Sequence, residues 1–103
     1  MTVRPKKHLG QHFLWDQNIA RKIVDAFQPA PADKILEIGP GKGVLTRYLL
    51  DFFNDSLYAV EIDKESVSYL IKEYPELEKY LIEKDFLTLD IGTYFSGHVS
   101  IIG

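Results

Sequence analysis

The stretch EIGPGKGVLT, residues 37–46, decides the fold of this chain, because it places three glycines at alternate positions between an apolar run and a helical pattern. The preceding segment KILEIG (34–39) predicts a buried strand, and VLTRYLLDFF (44–53) predicts an amphipathic helix. Glycine permits positive φ and close approach of a ligand to the backbone, and the first turn of a helix carries free N–H groups. The stretch therefore predicts a strand, a ligand-binding turn and a helix.

Three further segments are rich in β-forming residues: LYAVEID (57–63), KYLIEKD (79–85) and HVSIIG (98–103). Their alternation with helical segments predicts a parallel sheet with right-handed crossovers, which is an α/β fold of the Rossmann-like type. Ligands of such sheets bind at the carboxyl ends of the strands. The residues expected along that rim are Gly39, Glu61, Asp85 and whatever follows Gly103.

Two more helices are predicted. The first extends from an N-cap at Asp16 to about Gln28, and its apolar face would consist of four residues: Ile19, Ile23, Ala26 and Phe27. The second, KESVSYLIKEY (64–74), follows a cap at Asp63 and ends before Pro75.

Composition limits the classes of protein that remain open. The chain has 103 residues, 46% of them hydrophobic, so it forms at most one small domain. Its net charge of -3 argues against bulk electrostatic binding to nucleic acid. The absence of cysteine excludes disulfides and thiolate metal sites. With no apolar run near the roughly 20 residues of a membrane span and no signal-peptide pattern, we expect a soluble cytoplasmic protein that contacts no membrane and binds no metal.

The spacing of the glycines and one acid narrow the choice of ligand. The dinucleotide pattern G-x-G-x-x-G would need its third glycine at Val44, but that glycine is Gly43, which disfavours a nicotinamide cofactor. Glu37, near the end of the strand, would attract the cationic methionyl part of S-adenosylmethionine and repel a pyrophosphate. The alternative for Glu37 is a partly solvated or capping carboxylate.

Two other acids fit a nucleoside. Glu61 lies 22 positions after Gly39 and could accept hydrogen bonds from both ribose hydroxyls, a feature that nicotinamide and methyl-donor cofactors share. Asp85 could accept from the exocyclic amine of adenine, with Ile62 and Phe86 against the faces of the base. The alternatives are an ordinary strand-end acid and a turn-capping acid.

Four motifs carry a resemblance to a known family: KKHLGQHFL (6–14), LEIGPGKGVLT (36–46), AVEID (59–63) and KDFL (84–87). In this order and spacing they resemble the ribosomal RNA small-subunit adenine N6-dimethyltransferases, over nearly the whole chain. The first motif decides most, because other methyltransferases share the glycine loop but lack LGQHFL.

The resemblance implies an enzyme of ribosome biogenesis that uses S-adenosylmethionine to dimethylate two adjacent adenines near the 3′ end of small-subunit RNA, with that RNA or the 30S particle as its partner. It also implies the residues that contact the methyl donor directly: His12, Leu14, Gly39 and Gly41. Glu61 would hold the ribose and Asp85 the adenine. Other members have asparagine at the position of His12.

The family's catalytic motif, Asn-(Leu/Phe)-Pro-Tyr, would begin directly after Gly103, so the chain contains no catalytic residue of that motif. We therefore expect residues 1–103 to be the N-terminal part of a single cofactor-binding domain, inactive alone, without the remaining strands and the helical RNA-docking domain. Arg4, Lys6 and Lys7 would meet RNA phosphates, or form a solvated terminus. The alternatives in function are a nicotinamide-dependent oxidoreductase and a non-enzymatic nucleic-acid-binding relative.

The resemblance also predicts an exposed sheet edge. In the family the fourth strand, here HVSIIG (98–103), pairs with a fifth strand that residues 1–103 do not contain. Unpaired backbone groups beside Val99, Ile101 and Ile102 would recruit a second copy by strand pairing or swapping. The alternative is a monomer in which the last strand frays.

Overall fold

The computed structural model describes residues 17–31 and 33–103, and within them the strands form one parallel sheet. The strands are β1 (Lys34–Ile38), β2 (Leu57–Glu61), β3 (Leu81–Glu83) and β4 (Val99–Ile102). Their spatial order is β3-β2-β1-β4, and every neighbouring pair is parallel. The α/β prediction is therefore confirmed, with β1 and β2 in the centre and β4 at an edge.

The helices in the described part of the chain are α1 (Gln17–Ala26), α2 (Val44–Phe53), α3 (Lys64–Glu73) and the short α4 (Ile91–Tyr94). The bounds predicted for α2 are confirmed, and α1 ends two residues before Gln28. The cap predicted at Asp63 is also confirmed, because its carboxylate accepts from the Ser66 amide at 3.0 Å. The cap predicted at Asp16 lies outside the described residues.

Short 3₁₀ helices occupy segments that the sequence pattern assigned to strands or left open: Asn54–Ser56, Pro75–Tyr80 and Phe86–Thr88. The prediction of a third strand over residues 79–85 was too long at both ends. The turn that begins at Pro75 continues through Tyr80, and beyond β3 the Asp85 carboxylate accepts from the Leu87 amide and turns the chain. Only three residues pair with β2.

Both faces of the central strands are buried. Ile35 of β1 belongs to a cluster with α1 and α2, whereas its neighbour Leu36 belongs to a second cluster with Val60 and Phe95. Adjacent strand residues point to opposite faces, so each face of β1 has its own core. Burial on both faces is the usual state of a parallel sheet and explains the nearly continuous apolar runs of β1 and β2.

Helix α1 and the residue that follows it pack against the first cluster through a stripe at i, i+3, i+4 and i+7: Ala20, Ile23, Val24 and Phe27. The predicted face shared Ile23 and Phe27 with this stripe but was wrong for Ala26, which is exposed. Ala26 lies beside the stripe, where the helix turns toward solvent. Among the described residues no helix is long and apolar enough to cross a membrane.

Candidate functional site

The carboxyl ends of the four parallel strands form one rim of the sheet. From one edge to the other the rim has Asp85 after β3, Glu61 at the end of β2, Gly39 after β1 and Gly103 after β4. The predicted placement of Gly39, Glu61 and Asp85 along one rim is therefore confirmed. His12 and Leu14, the two N-terminal residues predicted to contact a cofactor, lie outside the described residues.

The first two glycines of the loop after β1 adopt a conformation that other residues avoid and leave space beside them. Gly39 has φ 63° and Gly41 has φ 57°. A Cβ placed on Gly39 would meet nothing within 4 Å, and one on Gly41 would meet only the Gly39 carbonyl oxygen, at 4.0 Å. The loop therefore offers bare backbone that a ligand could approach closely.

The third glycine has a different role. Gly43 has φ 81° and is buried, and a Cβ there would lie 2.8 Å from Cε2 of Tyr74 and 3.1 Å from Cδ2 of Leu70. The Tyr74 hydroxyl also donates to the Gly43 carbonyl oxygen at 3.5 Å. Packing against the end of α3 is a sufficient explanation for Gly43, so only two of the three glycines indicate a ligand.

Glu61 ties the glycine loop to the end of β2. Its side chain is only 7% exposed and accepts three backbone hydrogen bonds. Oε1 accepts from the Gly41 amide at 2.9 Å, and Oε2 accepts from the amides of Ile62 and Asp63 at 3.1 and 3.0 Å. A carboxylate has about four acceptor positions. One position, on Oε1, remains for a ligand.

Glu37 is buried in β1, so the alternative of a partly solvated carboxylate is wrong. The side chain is 2% exposed and accepts from the Thr46 hydroxyl of α2 at 2.5 Å. Burial raises the pKa of the Glu37 carboxyl to about 7, the Thr46 hydrogen bond opposes this shift, and the charge of Glu61 adds to it. Sequence reasoning did not predict this role of Thr46. Its position in the first turn of α2, next to the end of the predicted strand, could have indicated a contact with Glu37.

Asp85 caps a turn, which is the alternative role that the sequence analysis left open for it. Its carboxylate accepts from the Leu87 amide at 3.0 Å and caps the 3₁₀ helix. The exposed apolar side chains nearest these acids in sequence are Ile62, 62% exposed, and Leu87, 88% exposed. Phe86, predicted to contact a base, packs partly buried against the second core cluster. Leu87, which sequence reasoning did not name, is a further candidate for that contact.

The described residues contain no group of three or more side chains that could hold a metal ion. The rim combines two open glycines, the carboxylate of Glu61 and two exposed apolar side chains. Such a rim suits an organic ligand with hydroxyl donors and a flat apolar part.

Comparison with protein families gives a direct result. The model of the family described as ribosomal RNA adenine dimethylase matches residues 3–100. The chain belongs to this family. The resemblance inferred from the four sequence motifs is thereby confirmed.

Curated relatives agree with this assignment. Proteins named ribosomal RNA small subunit methyltransferase A are 48% identical over 101 residues in Parabacteroides distasonis and 49% identical over 102 residues in Flavobacterium johnsoniae. The match covers 98% of this dimethylase-family chain in both cases, but 38% and 39% of the relatives. The chain thus spans less than two fifths of their length.

A solved structure supports the fold. The crystal structure of Streptomyces venezuelae DesVI superposes with a TM-score of 0.57 at 19% identity, covering 99% of this chain and 42% of that one. Family membership and this likeness together confirm the predicted Rossmann-like methyltransferase fold.

Replacing Gly43 with alanine should destabilise the chain by about 2–4 kcal/mol, because the new Cβ is strained at positive φ and collides with Tyr74 and Leu70. Gly97→Ala is the matched control, since a Cβ there meets nothing within 4 Å. Urea unfolding of both variants measures the effect. Equal stabilities would show that α3 does not constrain the loop.

The buried Glu37 should make stability depend on pH. The folded chain holds the Glu37 proton up to about pH 7, whereas the unfolded chain releases it near 4.5. Between these values the folded state binds more protons, so this group's contribution to stability falls as pH rises. The full effect is on the order of 3 kcal/mol.

The variant Glu37→Gln keeps an acceptor for Thr46 but cannot ionise. Its free energy of unfolding relative to the unchanged chain should therefore increase as pH is raised from about 4 to 8. Urea unfolding at several pH values tests this, with the exposed Glu65→Gln as control. Parallel profiles for the Glu37 variant and the unchanged chain would contradict a raised pKa.

Proposed function

We propose that this chain binds S-adenosylmethionine and serves in the N6-dimethylation of adenines in small-subunit ribosomal RNA. The observation that carries the proposal is the junction of Gly41 and Glu61, where open backbone and a buried carboxylate meet at the end of β2. Membership of the ribosomal RNA adenine dimethylase family supplies the reaction. S-adenosylmethionine, when bound, supplies a methyl group on a positively charged sulfur.

The charge of the rim favours this cofactor over a dinucleotide. Glu37 and Glu61 lie close enough for the charge of Glu61 to raise the pKa of Glu37. The charge of Glu61 attracts a sulfonium and an ammonium and repels a pyrophosphate. Because Glu37 is buried and ionises only near pH 7, its charge adds to this attraction only as pH rises through that value.

Glu61 is the residue proposed to hold the ribose. One acceptor position on Oε1 receives one hydroxyl, but two hydroxyls would also need the position that the Gly41 amide now uses. Binding through both hydroxyls would therefore release the Gly41 amide from Glu61. Asp85, at the neighbouring strand end, is proposed to accept from the adenine amine, with Ile62 and Leu87 against the base.

The remaining assignments follow the family. His12 and Leu14 are proposed to contact the methyl donor, and Arg4, Lys6 and Lys7 to meet RNA phosphates. The partner is small-subunit ribosomal RNA or the particle that contains it, and the place of action is the cytoplasm, where that particle is assembled.

Calorimetric titration tests the cofactor assignment. The chain should bind S-adenosylmethionine or its demethylated product and should not bind NAD. Glu61→Ala should weaken binding by about 1–3 kcal/mol, the usual effect of losing a charge-assisted hydrogen bond.

The exposed Glu76→Ala removes one negative charge elsewhere and is the control for Glu61→Ala. A thermal melt without ligand establishes that both variants are folded. An unchanged isotherm for the Glu61 variant would remove this residue from the site, and NAD binding would favour an oxidoreductase.

The edge strand β4 leads to a separate proposal about assembly. In the described sheet β4 pairs only with β1, and Ile101 on it is 45% exposed. Asp33 accepts from the Ser100 hydroxyl at 2.6 Å, which holds β4 in register beside β1. We infer that this ordered, partly apolar edge pairs with a second copy of the chain.

Light scattering over a concentration series measures this association. The average mass should rise toward that of a dimer as concentration increases, and Ile101→Lys should reduce the rise because a charged edge opposes pairing. Ile62→Lys, at a side chain that is equally apolar and 62% exposed, is the control. A monomeric mass at high concentration, with free amide exchange over residues 98–103, would support a fraying strand instead.

A further inference from the structure

A groove of about 320 Å³ lies along β3, at the opposite edge of the described sheet from β4. Its volume is at the lower end of the range of about 300–1,000 Å³ that is usual for small-molecule sites. The side chains that determine its chemistry are three tyrosines and two lysines: Tyr58, Tyr80, Tyr94, Lys79 and Lys84. None of them belongs to the cofactor site proposed above.

The groove follows β3 along its whole length. Leu81, Ile82 and Glu83 all line it, together with Tyr58 of the neighbouring strand β2. Within the described residues β3 pairs only with β2, so the backbone groups on its other side have no strand partner.

One wall of the groove is aromatic. The β2–β3 register continues to place Tyr58 beside Tyr80, and their ring centroids lie 5.0 Å apart at 80°. The ring of the buried Phe95 also contacts the Tyr58 ring, with centroids 4.8 Å apart at 86°, so Tyr58 packs against two rings. Tyr80 is 37% exposed and Tyr94 is 43% exposed, so ring surface remains available to a partner.

The charged side chains lie at the two ends of the strand. Lys79 precedes β3 and Lys84 follows it, with Glu83 as the one acid in the lining. The lining is therefore positively charged, although the whole chain has a net charge of -3. Aromatic rings between separated ammonium groups complement a partner with flat bases between separated phosphates.

We propose that this groove binds a single-stranded segment of RNA, with bases against Tyr80 and Tyr94 and phosphates near Lys79 and Lys84. The proposal rests on the proposed function in one respect, since that function supplies an RNA partner. A peptide strand added to the edge fits less well, because β3 offers only three residues for pairing and is flanked by lysines, which oppose strand addition.

Fluorescence anisotropy with a labelled single-stranded RNA of about ten nucleotides tests the proposal on the 103-residue chain. Tyr80→Ala should weaken binding about tenfold through lost stacking. Lys84→Ala should weaken it several-fold and reduce the slope of log K against log salt by about one. Tyr80→Ala also removes the ring contact with Tyr58, which could destabilise the fold. If that variant unfolds, Lys84→Ala still tests the proposal.

Two matched controls lie on α3. Tyr69 has the same exposure as Tyr80, 37%, and Lys72 is exposed like Lys84. Tyr69→Ala and Lys72→Ala should leave RNA affinity unchanged. A duplex of the same length should bind more weakly than the single strand, because its bases cannot stack on the tyrosines.

Titration with S-adenosylmethionine separates this inference from the proposed function. The groove variants should keep the cofactor affinity of the unchanged chain. RNA binding that is lost in the groove variants supports the inference even if no cofactor binds. Absence of RNA binding by a chain that binds cofactor, or equal RNA affinity in groove and control variants, would overturn it.

Discussion

The hydrogen bonds to the Glu61 carboxylate are the interaction on which the rest of the rim depends. One oxygen receives the amide of Gly41 and the other receives the two amides that follow β2. Within the loop the Gly39 amide donates to the Val60 carbonyl oxygen and the Gly43 amide to the Pro40 carbonyl oxygen, and Glu61 accepts from the Gly41 amide between them. A single buried side chain thus ties the path of the chain after β2 to the position of the open backbone after β1.

The same face of the sheet shows how a polar group is accommodated in a small core. Glu37 lies one residue before the end of β1 among apolar side chains, and Thr46 supplies its hydrogen bond. An unpaired carboxylate there would strongly destabilise the fold, whereas a protonated or hydrogen-bonded acid is tolerated. The two rim acids therefore differ in character: Glu61 is held by backbone amides at the edge of solvent, and Glu37 is enclosed between strand and helix.

The order of elements and the rim could be predicted from sequence, because apolar periodicity and glycines determine them locally. The length of β3 could not, since Tyr80 has strong strand propensity but lies in a 3₁₀ turn that starts at Pro75. The role of Gly43 could not be predicted from the sequence either. Its reason for being glycine is a contact with Tyr74, 31 positions later, and nothing local in the sequence indicates that pair.

The contact between Gly43 and Tyr74 also restricts how relatives of this chain can vary. A side chain at position 43 would need a smaller residue at position 74, and the backbone there would still have to tolerate positive φ. The two positions should therefore change together or not at all. Tyr74 lies at the end of α3 and Gly43 at the start of α2. Their contact couples the two helices, so a displacement of one helix would be transmitted to the other through the Tyr74 ring.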